Sequence, residues 1–83
     1  MYFVYMVRCK DNSLYTGWTT NLKRRVSEHN KGIGAKYTRA KKPVKLVFFE
    51  EYDTKSKAAK REYAIKQLYK YQKEKLVSNF SKK

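Results

Sequence analysis

Tyr15-Thr16-Gly17-Trp18-Thr19-Thr20-Asn21-Leu22-Lys23-Arg24-Arg25-Val26-Ser27-Glu28-His29 reads as a strand that ends at a glycine, turns through threonines and an asparagine, and opens into an amphipathic helix. Thr20 or Asn21 can cap that helix, because a short side-chain oxygen there accepts a bond from an orphan amide of the first turn. Within the helix, Leu22 and Val26 share one face, Arg25 and His29 line a flank of that face, and Arg24 and Glu28 point elsewhere. A tyrosine at a strand end, an arginine and a histidine can therefore converge within about two helical turns.

Upstream, Tyr2-Phe3-Val4-Tyr5-Met6-Val7 is aromatic and β-branched and apolar on both faces of an alternating strand, which predicts a central position in a sheet. Asp11-Asn12-Ser13 supplies turn chemistry between this strand and the one over Leu14 to Trp18. Register decides which side chains share a face. A two-residue turn at Asp11-Asn12 would send Tyr5 and Tyr15 to opposite faces, whereas a three-residue loop or a bulge would put them together.

Downstream, the helix runs from about Leu22 to Lys31. Residues Gly32 to Pro43 then read as a long basic loop, and Lys36, Tyr37, Thr38, Arg39, Lys41 and Lys42 are candidate nucleic-acid contacts, being residue types that hold phosphates and stack on bases. Val44 to Tyr52 reads as a third strand beginning just after Pro43. Asp53-Thr54-Lys55-Ser56 is a turn with Thr54 or Ser56 as cap. The following pattern is helical to about Tyr69, with Ala58, Ile65, Leu68 and Tyr69 on one side. Glu62 falls in the middle of that apolar side, where a carboxylate is costly unless a cation holds it. It is either one half of an ion pair or a ligand to a bound metal. A short final helix over Lys73–Val77 is expected to pack Leu76, Val77 and Phe80 onto the core.

At 83 residues the chain makes one small domain, 1–83, with a modest core. Twenty-one Lys and Arg against seven Asp and Glu leave a formal charge of +14. Such an excess repels itself unless a polyanion offsets it, so nucleic acid is the expected partner, ahead of an anionic membrane or an acidic protein. Cys9 stands alone, which excludes an intrachain disulfide and a cysteine-cluster zinc site. The apolar start lacks a basic leader and a small-residue cleavage site, and no run approaches the roughly 18 residues that span a bilayer. A soluble, cytoplasmic protein is expected.

Taken together, Phe3-Val4-Tyr5, Tyr15-Thr16-Gly17, the helix carrying Arg25 and His29, and the later helix carrying Glu62 resemble the GIY-YIG nuclease domain over nearly the whole chain. The resemblance is to the small stand-alone bacterial members, and the chain is similar to the nuclease module of SLX-type structure-specific resolvases. It implies an α+β fold, with a three-stranded antiparallel sheet flanked by helices. It also implies metal-dependent cleavage of a phosphodiester by Tyr5, Tyr15, Arg25, His29 and Glu62. Both tyrosines then belong to one site, which selects the register that puts them on one face. Some positions depart from the family pattern. The first motif's glycine and isoleucine are Phe3 and Val4, Trp18 stands where some relatives carry a lysine, and Asn79 is the nearest match to a polar residue near the C-terminus.

The implied chemistry suits these residues. Glu62 would hold Mg²⁺ or Mn²⁺, hard ions that take one carboxylate together with waters and substrate oxygens. Arg25 would fork onto the phosphate, one of the two tyrosines would position or deprotonate water, and His29 would assist. DNA is the expected substrate, in repair or in the processing of structured DNA, with a partner protein expected to supply targeting. The competing reading is a non-catalytic nucleic-acid-binding module on the same scaffold. An adaptor that docks on a repair or ribosome-associated partner is a third.

Overall fold

The computed structural model describes residues 1–82, in the order β1 (Tyr2–Arg8), β2 (Leu14–Thr19), α1 (Leu22–Asn30), α2 (Lys36–Arg39), β3 (Lys45–Tyr52), α3 (Lys55–Lys66) and α4 (Lys70–Ser81). The strands form one antiparallel sheet in the order β2-β1-β3, so the doubly apolar β1 is central. Its residues 4 to 7 are all buried, the burial its composition predicts.

The β1–β2 hairpin pairs Tyr5 with Gly17 and Val7 with Tyr15. Cys9 and Ser13 close a three-residue loop through a Cys9 N–H to Ser13 C=O bond of 2.8 Å. Asn12 takes the left-handed conformation (φ 72°), which asparagine tolerates better than most residues. The side chain of Asp11 accepts bonds from the backbone and hydroxyl of Ser13. The loop thus sets the register that puts Tyr5 and Tyr15 on one face. Between Met6 and Val7 the pairing of β1 with β3 shifts, leaving Val47 as an extra residue in β3.

Alternation along β1 separates two cores. Val4 and Met6 pack with Phe48 of β3 and with Ala58 and Ile65 of α3, joined by Leu76, Val77 and Phe80 of α4. Tyr5, Val7 and Cys9 pack on the other face with Val44, Leu22, Val26 and Tyr15. Hence α3 and α4 cover one face and α1 the other. Arg8 clamps α4 through a two-pronged pair with Glu74 (2.8 and 2.6 Å), and Arg61 ties α3 to Glu50 of β3 at 2.8 Å.

Several boundaries differ from the sequence reading. Asn21, not Thr20, caps α1 by accepting from Arg24 N–H, and Thr54, not Ser56, caps α3 by accepting from Lys57 N–H. Helix α3 stops at Lys66, so Leu68 and Tyr69 do not continue its buried side, and Tyr69 is 72% exposed. Helix α4 spans twelve residues, because Leu76, Val77 and Phe80 together give it a continuous stripe against the sheet. The 32–43 segment is not a free loop. It holds α2 and is pinned to the hairpin by Lys10 N–H to Lys41 C=O (2.8 Å) and by the Lys41–Asp11 ion pair (3.2 Å).

Candidate active site

A cleft of about 480 Å³ lies across the outer edge of β2, lined by Tyr5, Tyr15, Gly17, Trp18, Thr19, Thr20, Arg24, Arg25, Glu28 and Glu62. Because β2 is an edge strand, helices on opposite faces of the sheet reach each other around it. Arg25 comes from α1 and Glu62 from α3. Gly17 is what lets the central strand take part. A Cβ there would sit 2.8 Å from the Tyr5 hydroxyl oxygen, so only glycine leaves room for the phenol to extend over β2 into the cleft.

Behind the cleft runs a buried hydrogen-bond chain. Tyr5 Oη lies 2.8 Å from His29 Nε2, His29 Nδ1 lies 2.8 Å from Thr38 Oγ1, and the Thr38 hydroxyl donates to the Ala35 carbonyl at 2.9 Å. A threonine hydroxyl has one proton, and this one is spent on Ala35. His29 Nδ1–H must then donate to Thr38, which leaves Nε2 as an acceptor for the Tyr5 hydroxyl. The direction of the whole chain follows from its last link. Burial lowers the His29 pKa and the nearby Arg25 charge lowers it further, so the ring is a neutral acceptor at physiological pH. Burial pushes the Tyr5 phenol up to about 12, against the opposing pull of its hydrogen bond to Arg25. Gly34 packs directly on the His29 ring, where any Cβ would collide with Nδ1.

Arg25 bonds Glu28 at 3.0 Å. Burial disfavours its charge, but hydrogen bonds with Glu28 and Tyr5 outweigh that and raise its pKa, fixing it as a cation. Glu62 lines the cleft with its side chain 20% exposed and pairs with Lys66, one turn on, at 3.4 Å. It is therefore ion-paired through an exposed lysine while still facing the open cleft. Among the described residues no three His, Cys, Asp or Glu side chains come together as a metal cluster.

The five residues expected to form one site are not equally open to it. Tyr15, Arg25 and Glu62 line the cleft half-buried, Tyr5 meets it as a wall residue only 1% exposed, and His29 is fully buried behind Tyr5, with Tyr15 edge-on to its ring at 5.4 Å. Arg24 and Glu28, expected to point elsewhere, face the cleft because α1 meets the sheet at its edge. The 3-residue spacing of Arg25 and Glu28 carried that signal. Thr38 is not a nucleic-acid contact. It is completely buried against His29, a role with no sequence signature. Tyr37 is stacked on Tyr15 at 5.8 Å and carries the Lys41 ammonium 3.8 Å from its ring centroid, so its ring braces α2 rather than standing free. Lys36, Arg39 and Lys42 are exposed, and Lys41 is half-buried. Phe3 packs edge-on against Phe49 (6.2 Å), which accommodates its bulk outside the cleft, and Asn79 is exposed on α4 and does not line it.

A three-stranded antiparallel sheet flanked by helices, with phenols, a guanidinium and a carboxylate gathered at one sheet edge, is the architecture of a nuclease-type catalytic domain. The model of the GIY-YIG catalytic domain matches residues 1–75, and the chain belongs to that family, whose substrate is nucleic acid. It is 56% identical over 81 residues to UPF0213 protein CPE1444 of Clostridium perfringens, covering 98% of this chain and 87% of that one. It is 55% identical over 76 residues to UPF0213 protein VNG_2274C of Halobacterium salinarum, covering 92% and 99%. Among solved structures it is similar to the solution NMR structures of UPF0213 protein BH0048 from Bacillus halodurans and of EF2693 from E. faecalis. The first gives a TM-score of 0.61 at 46% identity, covering 94% of this chain and 84% of that one. The second gives 0.64 at 43%, covering 99% and 88%. No helix among the described residues is long and apolar enough to cross a membrane.

Proposed function

We propose that this chain is a divalent-metal-dependent endonuclease that hydrolyses phosphodiester bonds in DNA, with Tyr5, Tyr15, Arg25, His29 and Glu62 as its working residues. The observation that carries the proposal is the gathering of Tyr5, Tyr15, Arg25 and Glu62 at one cleft, with Tyr5 hydrogen-bonded to His29 and His29 to Thr38 behind it. Repair or processing of structured DNA in the cytoplasm, with a partner protein supplying targeting, is the cellular counterpart of that chemistry.

The donor set suits a hard divalent ion. Glu62 offers one carboxylate at the wall of an open cleft, where waters and substrate oxygens would have to complete the shell of such an ion. Mg²⁺ or Mn²⁺ held there by Glu62 would supply Lewis-acid stabilisation of phosphoryl charge. Arg25, fixed as a cation, holds the scissile phosphate and offsets negative charge as it develops. As water attacks phosphorus, Tyr5 Oη takes the water's proton and passes its own to His29 Nε2. The bond to the 3′ oxygen breaks, and that oxygen is protonated from solvent, leaving a 5′ phosphate. Burial is the main reason the His29 pKa is low and it also holds the Tyr5 phenol up at about 12, so the transfer is uphill at rest; an anion in the cleft offsets the smaller Arg25 contribution. Thr38 holds the imidazole in the tautomer that the transfer requires.

The test is a nicking assay on single-stranded, branched and duplex DNA and on RNA, with and without Mg²⁺ or Mn²⁺. Cleavage is expected only with metal, and Glu62→Ala or Arg25→Ala is expected to lower it about a hundredfold or more. Tight binding of every substrate with cleavage of none would leave the non-catalytic binding module as the function of this scaffold.

A further inference from the structure

Away from the cleft, the elbow between α3 and α4 carries three tyrosines in nine residues that the fold leaves outside. Tyr63 is 68% exposed, Tyr69 72% and Tyr71 71%. Solitary exposed aromatics are ordinary, but Tyr69 and Tyr71 lie parallel, with 8° between their planes and centroids 6.1 Å apart. Lysines interleave them in sequence. Lys60, Lys66 and Lys70 are exposed, and Lys73 is half-buried.

The platform is also held in place. Gln72 Oε1 accepts from Tyr69 N–H at 2.9 Å, Lys70 Nζ donates to the Asn12 carbonyl at 3.0 Å, and the Arg8–Glu74 pair locks the start of α4 against β1. The backbone that carries the rings is thus fixed, which limits the freedom lost when something stacks on them. Lys66 links this surface to the cleft, since it pairs with Glu62 on one side and precedes the elbow on the other.

We infer that this elbow is a second nucleic-acid site, an exosite on which unpaired bases stack against Tyr69 and Tyr71, and Tyr63 where the strand extends, while Lys60 and Lys66 follow the backbone. A single strand fits these features because its bases present free faces, whereas bases in a duplex are already stacked on one another. A second copy of this chain fits poorly, since two molecules of charge +14 repel. An acidic protein would satisfy the lysines but has no use for parallel rings. The site is independent of cleavage: it holds the strand, and the cleft works on it.

The experiment is fluorescence anisotropy with fluorescein-labelled oligothymidylate and with a blunt duplex, in EDTA so that no cutting occurs. Tyr69→Ala with Tyr71→Ala is expected to weaken oligothymidylate binding about tenfold or more and to leave duplex binding unchanged. Tyr69→Phe with Tyr71→Phe keeps the rings and is expected to keep wild-type affinity. The exosite is overturned if the double alanine variant binds oligothymidylate as wild type does, or if it loses single-strand and duplex affinity alike. A wild-type dimer in sedimentation that the alanine variant dissolves would equally overturn it, by making the elbow a self-contact. None of these outcomes depends on whether the cleft cuts DNA.

Discussion

Replacing Thr38 by valine tests the buried chain at its least conspicuous link. Valine has nearly the same shape, so packing around residue 38 is retained, but His29 Nδ1–H loses its acceptor, while the Ala35 carbonyl gives up the hydroxyl and keeps the residue 38 N–H at 3.1 Å. Leaving one buried polar group unpaired costs about 1–3 kcal/mol. For a domain of this size each kcal/mol moves the melting temperature by about 4–8 °C, so a drop on the order of 5–20 °C is expected by circular dichroism. Long-range ¹H–¹⁵N NMR should find wild-type His29 protonated at Nδ1 and the variant without that fixed preference. Thr38→Ser, which keeps the hydroxyl, should recover most of the stability and the tautomer. A Thr38→Val protein that melts within about 2 °C of wild type would refute the reasoning, as would a wild-type ring carrying its proton on Nε2.

Further outcomes follow from the same geometry. Thr16 Oγ1 is buried with no hydrogen-bond partner among the described residues, so Thr16→Val should stabilise the fold by about 1 kcal/mol, read as a higher denaturant midpoint. Because burial depresses the His29 pKa, the unfolded chain binds a proton below about pH 6.5 that the folded chain resists. Stability should therefore be fully present above that pH and fall as the medium is acidified towards the folded-state pKa, and His29→Gln should flatten that part of the profile. Gly17→Ala should displace the Tyr5 phenol, since the new methyl would stand 2.8 Å from its oxygen. Loss of the Tyr5–His29 bond should then appear as a shift of the His29 ring resonances and a melting point lower by roughly 5–15 °C.

Much of this architecture was legible in the chain because it rests on local patterns. Uninterrupted apolarity in Tyr2–Val7 marked the central strand, the cap at Asn21 marked α1, and the misplaced carboxylate marked Glu62 as a residue facing something polar. Tertiary contacts hid the rest. Thr38 looked like a surface residue in a basic loop, and nothing in its neighbours reveals that α2 folds back to set its hydroxyl on His29. The spacing on α1 placed His29 beside Arg25 but not its full burial, because helical spacing gives the side chain's direction and not what covers it. Tyr69 shared the apolar side of the preceding pattern, and only the break after Lys66 turns it outward.

The cleft is assembled from widely separated parts of the chain, and this bears on its behaviour during synthesis. By residue 54 a nascent polypeptide already carries both motif tyrosines, the guanidinium and the imidazole, but the acid arrives only with α3, which reaches the site around the rim of β2. A copy cut short at that point could still adhere to a polyanion without the carboxylate that the proposed hydrolysis requires.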